Sequence, residues 1–353
     1  MRSRQLDPTA QATSEQPRSL VSRVRAGLVG RTAELERLAV EIFARGLSTR
    51  DIEAAFRDAT GATTLSRSAV SQVTERLWQE YEAFATRDLN EFAIAYLFVD
   101  GVAERLHAGL PREAVLCAWG ITEDGRKVLL HLAPGTKEDT ASGTAFFEDL
   151  KRRGLADPLL VVTEGAPGLI RAVETCFPRA LRQRCLVHRL RNLHSKAPDR
   201  QWPEIAIRAR GCYEAASPAL ATLLRDDFVH TYERELPAVV ACFRDDFEAC
   251  IAHLRFPLQH RKVIRTTNLL ERLFLEERRR TKIIPHAFGE RPVLRLMYAA
   301  VIRAADRWRG ITVGEFEQRQ LRAIREELNR AHTARTAPAV TAPKPAAVRK
   351  LRS

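Results

Sequence analysis

The segment LLVVTEGAPGL, residues 159–169, decides the fold that this sequence predicts. Residues 159–162 form a short apolar run, and Glu164 follows it closely before a helical pattern begins. A carboxylate beside an apolar core loses hydration, so a strand that leads into one needs a physical reason. The same pattern occurs earlier, where AIAYLFVDGV at residues 93–102 runs into Asp100. Two such carboxylates on neighbouring strands indicate a site for divalent metal ions, which prefer oxygen ligands.

The order of elements around these two segments predicts an α/β fold. AIAYLFVDG, EAVLCAWGITEDG and RKVLLHLAPG have the pattern of three successive strands, and a turn at residues 123–125 joins the last two. A helix over 136–154 leads to a strand at 159–163, another helix begins near Gly168, and ALRQRCLVH (180–188) is predicted as a fifth strand. This is the order of a ribonuclease H-like mixed sheet, in which the fourth strand lies parallel to the first and beside it. That placement would bring Asp100 and Glu164 together.

Glu271 is the third candidate ligand. It lies in RTTNLLERLFLEERRRTK, residues 265–282, which is predicted as a long helix with Asn268 one turn before the glutamate. For Asp100 or Glu164 alone a solvated turn is the favoured explanation, because Asp-Gly and Glu-Gly are common in turns. The strand order reverses that preference for the pair. We therefore expect the three carboxylates to converge on two ions, Mg²⁺ or Mn²⁺, as in phosphoryl transfer.

The charge balance favours a polyanionic partner. The chain of 353 residues has 57 Lys and Arg against 44 Asp and Glu, which gives a net charge of +13. Such an excess indicates nucleic acid first, although an arginine-rich proteome produces it as well. The basic run Arg278, Arg279 and Arg280 could contact phosphates, although such a run is more often a solvated face.

The composition also bounds the compartment. The chain is 45% hydrophobic, and its apolar runs are all shorter than the roughly 20 residues of a membrane-spanning helix. The N-terminal sequence MRSRQLDPTAQATSEQPRS is polar and lacks the apolar core of a signal peptide, and the six cysteines are scattered. These features predict a cytoplasmic protein without a membrane association.

Changes in composition and in hydrophobic periodicity along the chain predict its division into parts. The predicted parts are a disordered N-terminus (1–28), a helix-turn-helix DNA-binding region (29–90), the first part of a catalytic core (91–188), an all-helical insertion (189–262), the final core helices (263–312), and a C-terminal helix with a basic disordered tail (313–353). In the second part, amphipathic segments follow one another closely, as in a helix-turn-helix motif. An ordinary helical bundle explains this pattern equally well.

The last helix of that region would carry the DNA contacts. Its first turns present polar side chains, and the apolar residues Val70, Val73 and Leu77 are predicted to face inward. The candidate DNA contacts are Arg67, Ser68, Ser71 and Gln72.

Cys185 and His188, in RCLVHRLRN, have the spacing of metal ligands. A structural zinc site normally needs four such ligands, and the sequence offers no obvious second pair. A packing role at the start of a helix, or a histidine near phosphate, is favoured over a structural-metal protein.

Four segments together resemble the bacterial insertion-sequence transposases of the Mutator type. They are YLFVDGVAERL (96–106), LLVVTEGAPGLIRAVETCFP (159–178), RQRCLVHRLRNL (182–193) and RTTNLLERLFLEERRRTK (265–282). Their order and spacing agree with that family over residues 31–312. The resemblance implies a ribonuclease H-like DDE transposase, which cuts element ends and joins them to target DNA with two magnesium or manganese ions.

The resemblance also implies roles for residues and partners. Asp100 falls on the first catalytic aspartate of the family and Glu271 on its catalytic glutamate, while Cys185, His188 and Asn268 fall on signature positions. The implied partner is double-stranded DNA, both terminal inverted repeats and target, bound by a homo-oligomer at the bacterial nucleoid. The N-terminal region is expected to be shorter than in the family.

Glu164 is where the sequence departs from the family, which has Asp-Gly at this second catalytic position. One added methylene moves a metal-ligating oxygen by about 1 Å, and misplacement on that scale can cost about 10²-fold in rate. We therefore expect a transposase with impaired activity. The alternative is a transposase-derived DNA-binding protein that has lost the chemistry.

Overall fold

The computed structural model describes residues 67–104, 112–135, 140–268, 274, 289–305 and 308–337. The strands are β1 (Ile94–Glu104), β2 (Glu113–Thr122), β3 (Lys127–Gly135), β4 (Leu160–Thr163) and β5 (Leu181–Arg184). The helices are α1 (Arg67–Thr86), α2 (Thr140–Arg152), α3 (Pro167–Cys176), α4 (Leu186–His194), α5 (Trp202–Tyr213), α6 (Pro218–Tyr232), α7 (Pro237–Arg244), α8 (Phe247–Ile251), α9 (Leu258–Ile264), α10 (Glu290–Ala305) and α11 (Glu315–Thr336). A 3₁₀ turn, Ala252–Arg255, follows α8.

The five strands form one mixed sheet in the order β3-β2-β1-β4-β5. β1 pairs antiparallel with β2 and parallel with β4, where Phe98 lies opposite Val162. β4 in turn pairs parallel with β5, where Thr163 lies opposite Arg184. This arrangement confirms the predicted α/β, ribonuclease H-like sheet, with the fourth strand beside the first.

Helices cover the sheet on both faces. Because side chains alternate along a strand, Tyr96 and Phe98 enter the layer formed with α1, α10 and α11, whereas Leu97 and Val99 enter the layer formed with α2 and α3. Phe98 stacks on Trp119 of β2 with ring centroids 3.9 Å apart. Burial on both faces explains why these strands are continuous apolar runs in the sequence.

Two predicted strand boundaries were wrong. β1 does not end at Asp100 but runs on to Glu104, because β2 continues to pair with it, whereas its pairing with β4 ends at Phe98. The fifth strand ends at Arg184 rather than at residue 188. Cys185 completes the pairing by donating its N–H to the carbonyl of Thr163 at 2.7 Å, and α4 then begins at Leu186.

The helices between β5 and α10 have a core of their own. It contains apolar side chains from α4 to α8, with Phe228 stacked on Phe243 at a centroid distance of 3.9 Å. The chain enters and leaves this region at one point, since the N–H of Leu186 donates to the carbonyl of Arg265 at 2.9 Å. These helices occupy the range predicted as the helical insertion (residues 189–262), and we keep that name for it.

α1 packs on the core rather than standing apart from it. Val73 and Leu77 are buried as predicted, and Tyr81 contacts Tyr298 of α10 with ring centroids 5.7 Å apart. The exposed face of α1 carries Ser68, Ser71 and Gln72. The earlier helices of the predicted helix-turn-helix and the side chains of Arg67 and Val70 lie outside the described residues, so that prediction is untested. Within the described ranges, every helix is too short or too polar to cross a membrane.

Candidate active site

Asp100 is held inside the sheet by the pairing of β1 with β2. It is 3% exposed, lies opposite Cys117 of β2, and accepts the N–H of Gly101 at 3.1 Å. Burial, and secondly the carboxylate of Asp100, raise the pKa of the Cys117 thiol well above its usual range. The thiol is therefore neutral.

Glu164 follows the last residue of β4, so the parallel pairing of β1 and β4 brings it beside Asp100. The next residue, Gly165, has φ +98°, a conformation that L side chains rarely adopt. α3 begins at Pro167, two residues further on. The chain therefore turns sharply at Glu164 and leaves this half-buried carboxylate at the end of the strand.

His188 completes the cluster from a third element. Because β5 lies beside β4 and α4 begins immediately after it, the first turn of α4 brings His188 to the carboxylates. Ligand atoms of Asp100, Glu164 and His188 lie within 4.8 Å of one another. The sequence raised His188 as a metal ligand only together with Cys185 and favoured a place near phosphate; it did not bring His188 to the carboxylates, because the predicted fifth strand extended through it.

Cys185 lies apart from this cluster. It is buried, its sulfur accepts the backbone N–H and the hydroxyl of Thr267, each at 3.4 Å, and it begins α4 as the N-cap residue. Within the described part of the chain, the one group of three metal-type ligands excludes Cys185. This agrees with the packing role favoured for Cys185, and the contact also ties the segment before Asn268 to the site.

Several of the predicted site residues lie outside the part of the chain that the structure describes. Glu271 and the basic run at residues 278–280 lie in an undescribed range, so the convergence of three carboxylates stays a prediction. Asn268 is half-buried next to Thr267, close in sequence to Glu271. Ser68, Ser71 and Gln72 are exposed on α1.

A cleft of about 820 Å³ opens beside Glu164 and His188. Its wall contains both apolar and charged side chains, and the charged ones include Arg171, Arg182, Arg184 and Asp245. Arginine side chains are good partners for phosphate groups, because the guanidinium donates several hydrogen bonds in a planar fork. Arg182 and Arg184 are paired with Asp245 and Asp246, whereas Arg171 is exposed and can contact a phosphate group next to the cluster.

The donor set suits a hard divalent cation. Two carboxylates at neighbouring strand positions offer the oxygen ligands that Mg²⁺ and Mn²⁺ prefer, and the buried position of Asp100 lowers the local dielectric around them. An imidazole is an acceptable further ligand for Mn²⁺. The residues present therefore fit a divalent metal ion, with Asp100 and Glu164 as its oxygen donors.

Comparisons with known proteins indicate one family for this chain. The model of the family described as "Transposase, Mutator family" matches residues 24–310. The transposase of insertion sequence element IS6120 from Mycolicibacterium smegmatis is 30% identical over 271 residues, which are 76% of this chain and 84% of that protein.

Two further relatives have the same kind of name. The transposase of element ISRM5 from Rhizobium meliloti is 30% identical over 292 residues, which are 81% of this chain and 73% of that protein. The transposase of element IS256 in transposon Tn4001 from Staphylococcus aureus is 29% identical over 273 residues, which are 76% of this chain and 70% of that protein. With the family model matching most of its length, this chain belongs to the Mutator family of transposases.

Proposed function

We propose that this protein is a DNA transposase that binds the ends of its element, cleaves a DNA strand there and joins it to target DNA. The observation that carries the proposal is the convergence of Asp100 within β1, Glu164 directly after β4 and His188 in the first turn of α4. Membership of a transposase family and the transposase names of the relatives support the same reaction class.

In this proposal Asp100 and Glu164 hold the metal, and Glu271 joins them as the third carboxylate. Two bound Mg²⁺ or Mn²⁺ ions would supply activation of the attacking oxygen and stabilisation of the leaving oxygen in a DDE-type phosphoryl transfer. The contact between Cys185 and Thr267 supports the position of Glu271, because it fixes the chain four residues before that glutamate.

His188 and the cleft would orient the DNA strand. The imidazole of His188 lies beside both carboxylates, where it can donate a hydrogen bond to a phosphate oxygen of the substrate. Arg171 lines the same cleft from the exposed surface of α3 and offers a second phosphate contact. Both residues would align the scissile phosphate, which is where phosphoryl transfer gains most of its rate.

The remaining DNA would be held by the basic surface. The net charge of +13 favours phosphate contacts, and we assign the first turns of α1 (Arg67, Ser68, Ser71 and Gln72) and the run Arg278, Arg279 and Arg280 to them. Joining two element ends in one reaction favours a homo-oligomer. Chromosomal DNA as target would place the protein at the nucleoid of a bacterial cell.

The direct test replaces Asp100 with asparagine in the full chain. We expect Asp100→Asn to cleave an oligonucleotide of the element end with Mg²⁺ at least about 10²-fold more slowly than wild type, while its DNA affinity is retained. Asp226→Asn is the control, because Asp226 is exposed and pairs only with its neighbour Arg225 among the described residues. Cleavage by Asp100→Asn at the wild-type rate would contradict the proposed role.

Glu164 favours one second candidate, a transposase-derived protein that binds DNA without cutting it. The family has aspartate at this position, and the longer side chain changes the reach of the ligand. This candidate predicts that wild type and Glu164→Asp bind element ends equally well and that neither cleaves them. Cleavage by wild type would exclude it.

A further inference from the structure

The turn that carries Glu164 rests on a guanidinium group. Arg184 of β5 packs so closely against Gly165 that a Cβ there would lie 2.3 Å from its Nε and 2.7 Å from its Cζ. The side chain of Arg184 is only 7% exposed. Gly165 therefore packs directly against this guanidinium, so a displacement of Arg184 would change the packing of the turn that carries Glu164.

Arg184 is in turn held by the helical insertion. Its Nη1 lies 3.0 Å from Oδ2 of Asp245, the residue that ends α7, and its Nε lies 3.8 Å from Oδ2 of Asp246. Asp246 also forms a bidentate ion pair with Arg182 of the same strand. The corner at residues 245–246 thus docks on the end of β5.

The same carboxylate also holds the helix that carries His188. Oδ2 of Asp245 lies 3.2 Å from Nη1 of Arg189, which is 2% exposed and follows His188 directly. Arg189 also donates to the backbone carbonyls of Cys242 and Asp245. Asp245 therefore contacts both the arginine beneath Glu164 and the arginine beside His188.

We propose that Asp245 is a positioning residue for the metal-binding cluster. By holding Arg184 and Arg189 together, it fixes Glu164 and His188 relative to Asp100, although it lies on the helical insertion and touches none of them. The inference rests on the proposed function for its catalytic meaning. Removal of the Asp245 carboxylate takes a charged partner from two buried guanidinium groups, so we expect it to weaken the hold on both arginines, although Asp246 and the backbone carbonyls around Arg189 remain.

The chain contains a matched control for this contact. Asp227 lies on the same insertion, pairs with Arg208 at 3.2 Å, and its side chain is 66% exposed, against 65% for Asp245. Arg208, however, is 39% exposed, and such surface pairs contribute little. Asp227→Ala removes an equally exposed carboxylate from an ion pair of the same length, but from an exposed arginine at a site away from the cluster.

The first measurement needs no DNA. Amide hydrogen exchange of the full-length, metal-free protein is compared for wild type, Asp245→Ala and Asp227→Ala. We expect faster exchange in Asp245→Ala at the N–H of Cys185, which donates to Thr163, and at that of Ile170 in the first turn of α3. Equal exchange in Asp245→Ala and Asp227→Ala would overturn the proposal, whatever the enzyme does.

The second measurement is metal dependence. We expect Asp245→Ala to need about 10-fold or more Mn²⁺ for half-maximal binding, followed by the electron paramagnetic resonance of Mn²⁺, and for half-maximal cleavage of element ends. DNA affinity should match that of Asp227→Ala. Asp245→Asn keeps the acceptor oxygen, so its Mn²⁺ requirement should lie between those of wild type and Asp245→Ala.

The asparagine variant also tests the proposal if the alanine variant does not fold. Mn²⁺ binding by Asp245→Asn at the wild-type concentration would then overturn the proposal. Loss of cleavage in wild type itself would instead refute the proposed function.

Discussion

Glu164 has one methylene group more than an aspartate, which changes the position of its carboxylate in a site built from short, rigid elements. Asp100 lies in the part of β1 that pairs with β2, opposite Cys117, and is 3% exposed, so it has little freedom to move and compensate for a longer partner. The extra rotatable bond of Glu164 lets its oxygen reach the cluster, but the side chain must give up rotamer freedom to stay there. In-line phosphoryl transfer also depends on the position of the metal ligands, so we expect the longer side chain to lower the rate of cleavage.

We therefore predict that Glu164→Asp increases metal-dependent strand cleavage, by up to about 10²-fold, with little change in DNA affinity. The measurement is the single-turnover cleavage rate of an element-end oligonucleotide with Mg²⁺. Glu233→Asp, a change of the same size at the C-terminus of α6, should leave the rate unchanged. Equal or slower cleavage by Glu164→Asp would show that Glu164 is already a competent ligand.

At the scale of elements, the sequence predicted the strand order well and the boundaries poorly. The strands β1 to β4 are apolar runs, and the helices α2 and α3 that follow β3 and β4 are amphipathic, which is a strong local signal. In RQRCLVH, by contrast, Leu186 and Val187 suit either a strand or a helix, and only the packing of Leu186 and Leu193 against the insertion selects the helix. That ambiguity hid the place of His188 beside the carboxylates, because three-dimensional contacts decide it.

The turn after β4 makes an element-scale prediction. Gly165→Ala should lower the free energy of unfolding by about 1–3 kcal/mol, because φ is +98° and the added Cβ would clash with Arg184. Cleavage should fall as well, since Glu164 is the next residue. Urea denaturation and the cleavage assay measure the two effects.

Gly211→Ala provides the comparison. Gly211 lies in α5 with no atom within 4 Å of an added Cβ, so alanine should stabilise the protein by about 0.5–1 kcal/mol. If Gly165→Ala were as stable and active as Gly211→Ala, the turn would not be a constrained element of the site.

At the scale of the whole molecule, a few polar contacts join the sheet to the helical insertion. Gln183 of β5 donates to the carbonyl of Cys250 and accepts the backbone N–H of His253, and the ring of His253 lies 3.1 Å from the same Gln183 oxygen. Burial, followed by Arg265 and Arg261, lowers the pKa of His253 to about 4. The junction therefore requires a neutral imidazole.

This requirement gives the stability of the whole protein a defined pH dependence. In the unfolded chain His253 binds a proton near pH 6.5, whereas in the folded protein it does so only near pH 4, so stability falls as the pH drops between these values. The loss should amount to about 2–3 kcal/mol for this one residue. Urea denaturation between pH 7 and pH 4.5 should show a smaller loss for His253→Gln than for wild type.

Other buried histidines contribute to the same window, so the comparison between variants matters more than the wild-type curve. Burial also lowers the pKa of His131 to about 4 and lowers that of His260. His230→Gln, on the exposed surface of α6, should retain the full wild-type dependence. A loss as large in His253→Gln as in His230→Gln would rule out the proposed contribution of the junction.

The single point at which the chain enters and leaves the insertion bears on how such a protein can diversify. Leu186, at the start of the insertion, and Arg265, after its end, are hydrogen-bonded neighbours. The distance between the two ends of the insertion therefore does not depend on how many residues lie between them. The entropy of closing such a loop grows only slowly with its length. Evolution can therefore lengthen, shorten or resurface this segment as an exchangeable cassette, provided that it keeps one acidic corner facing the arginines of β5 and α4.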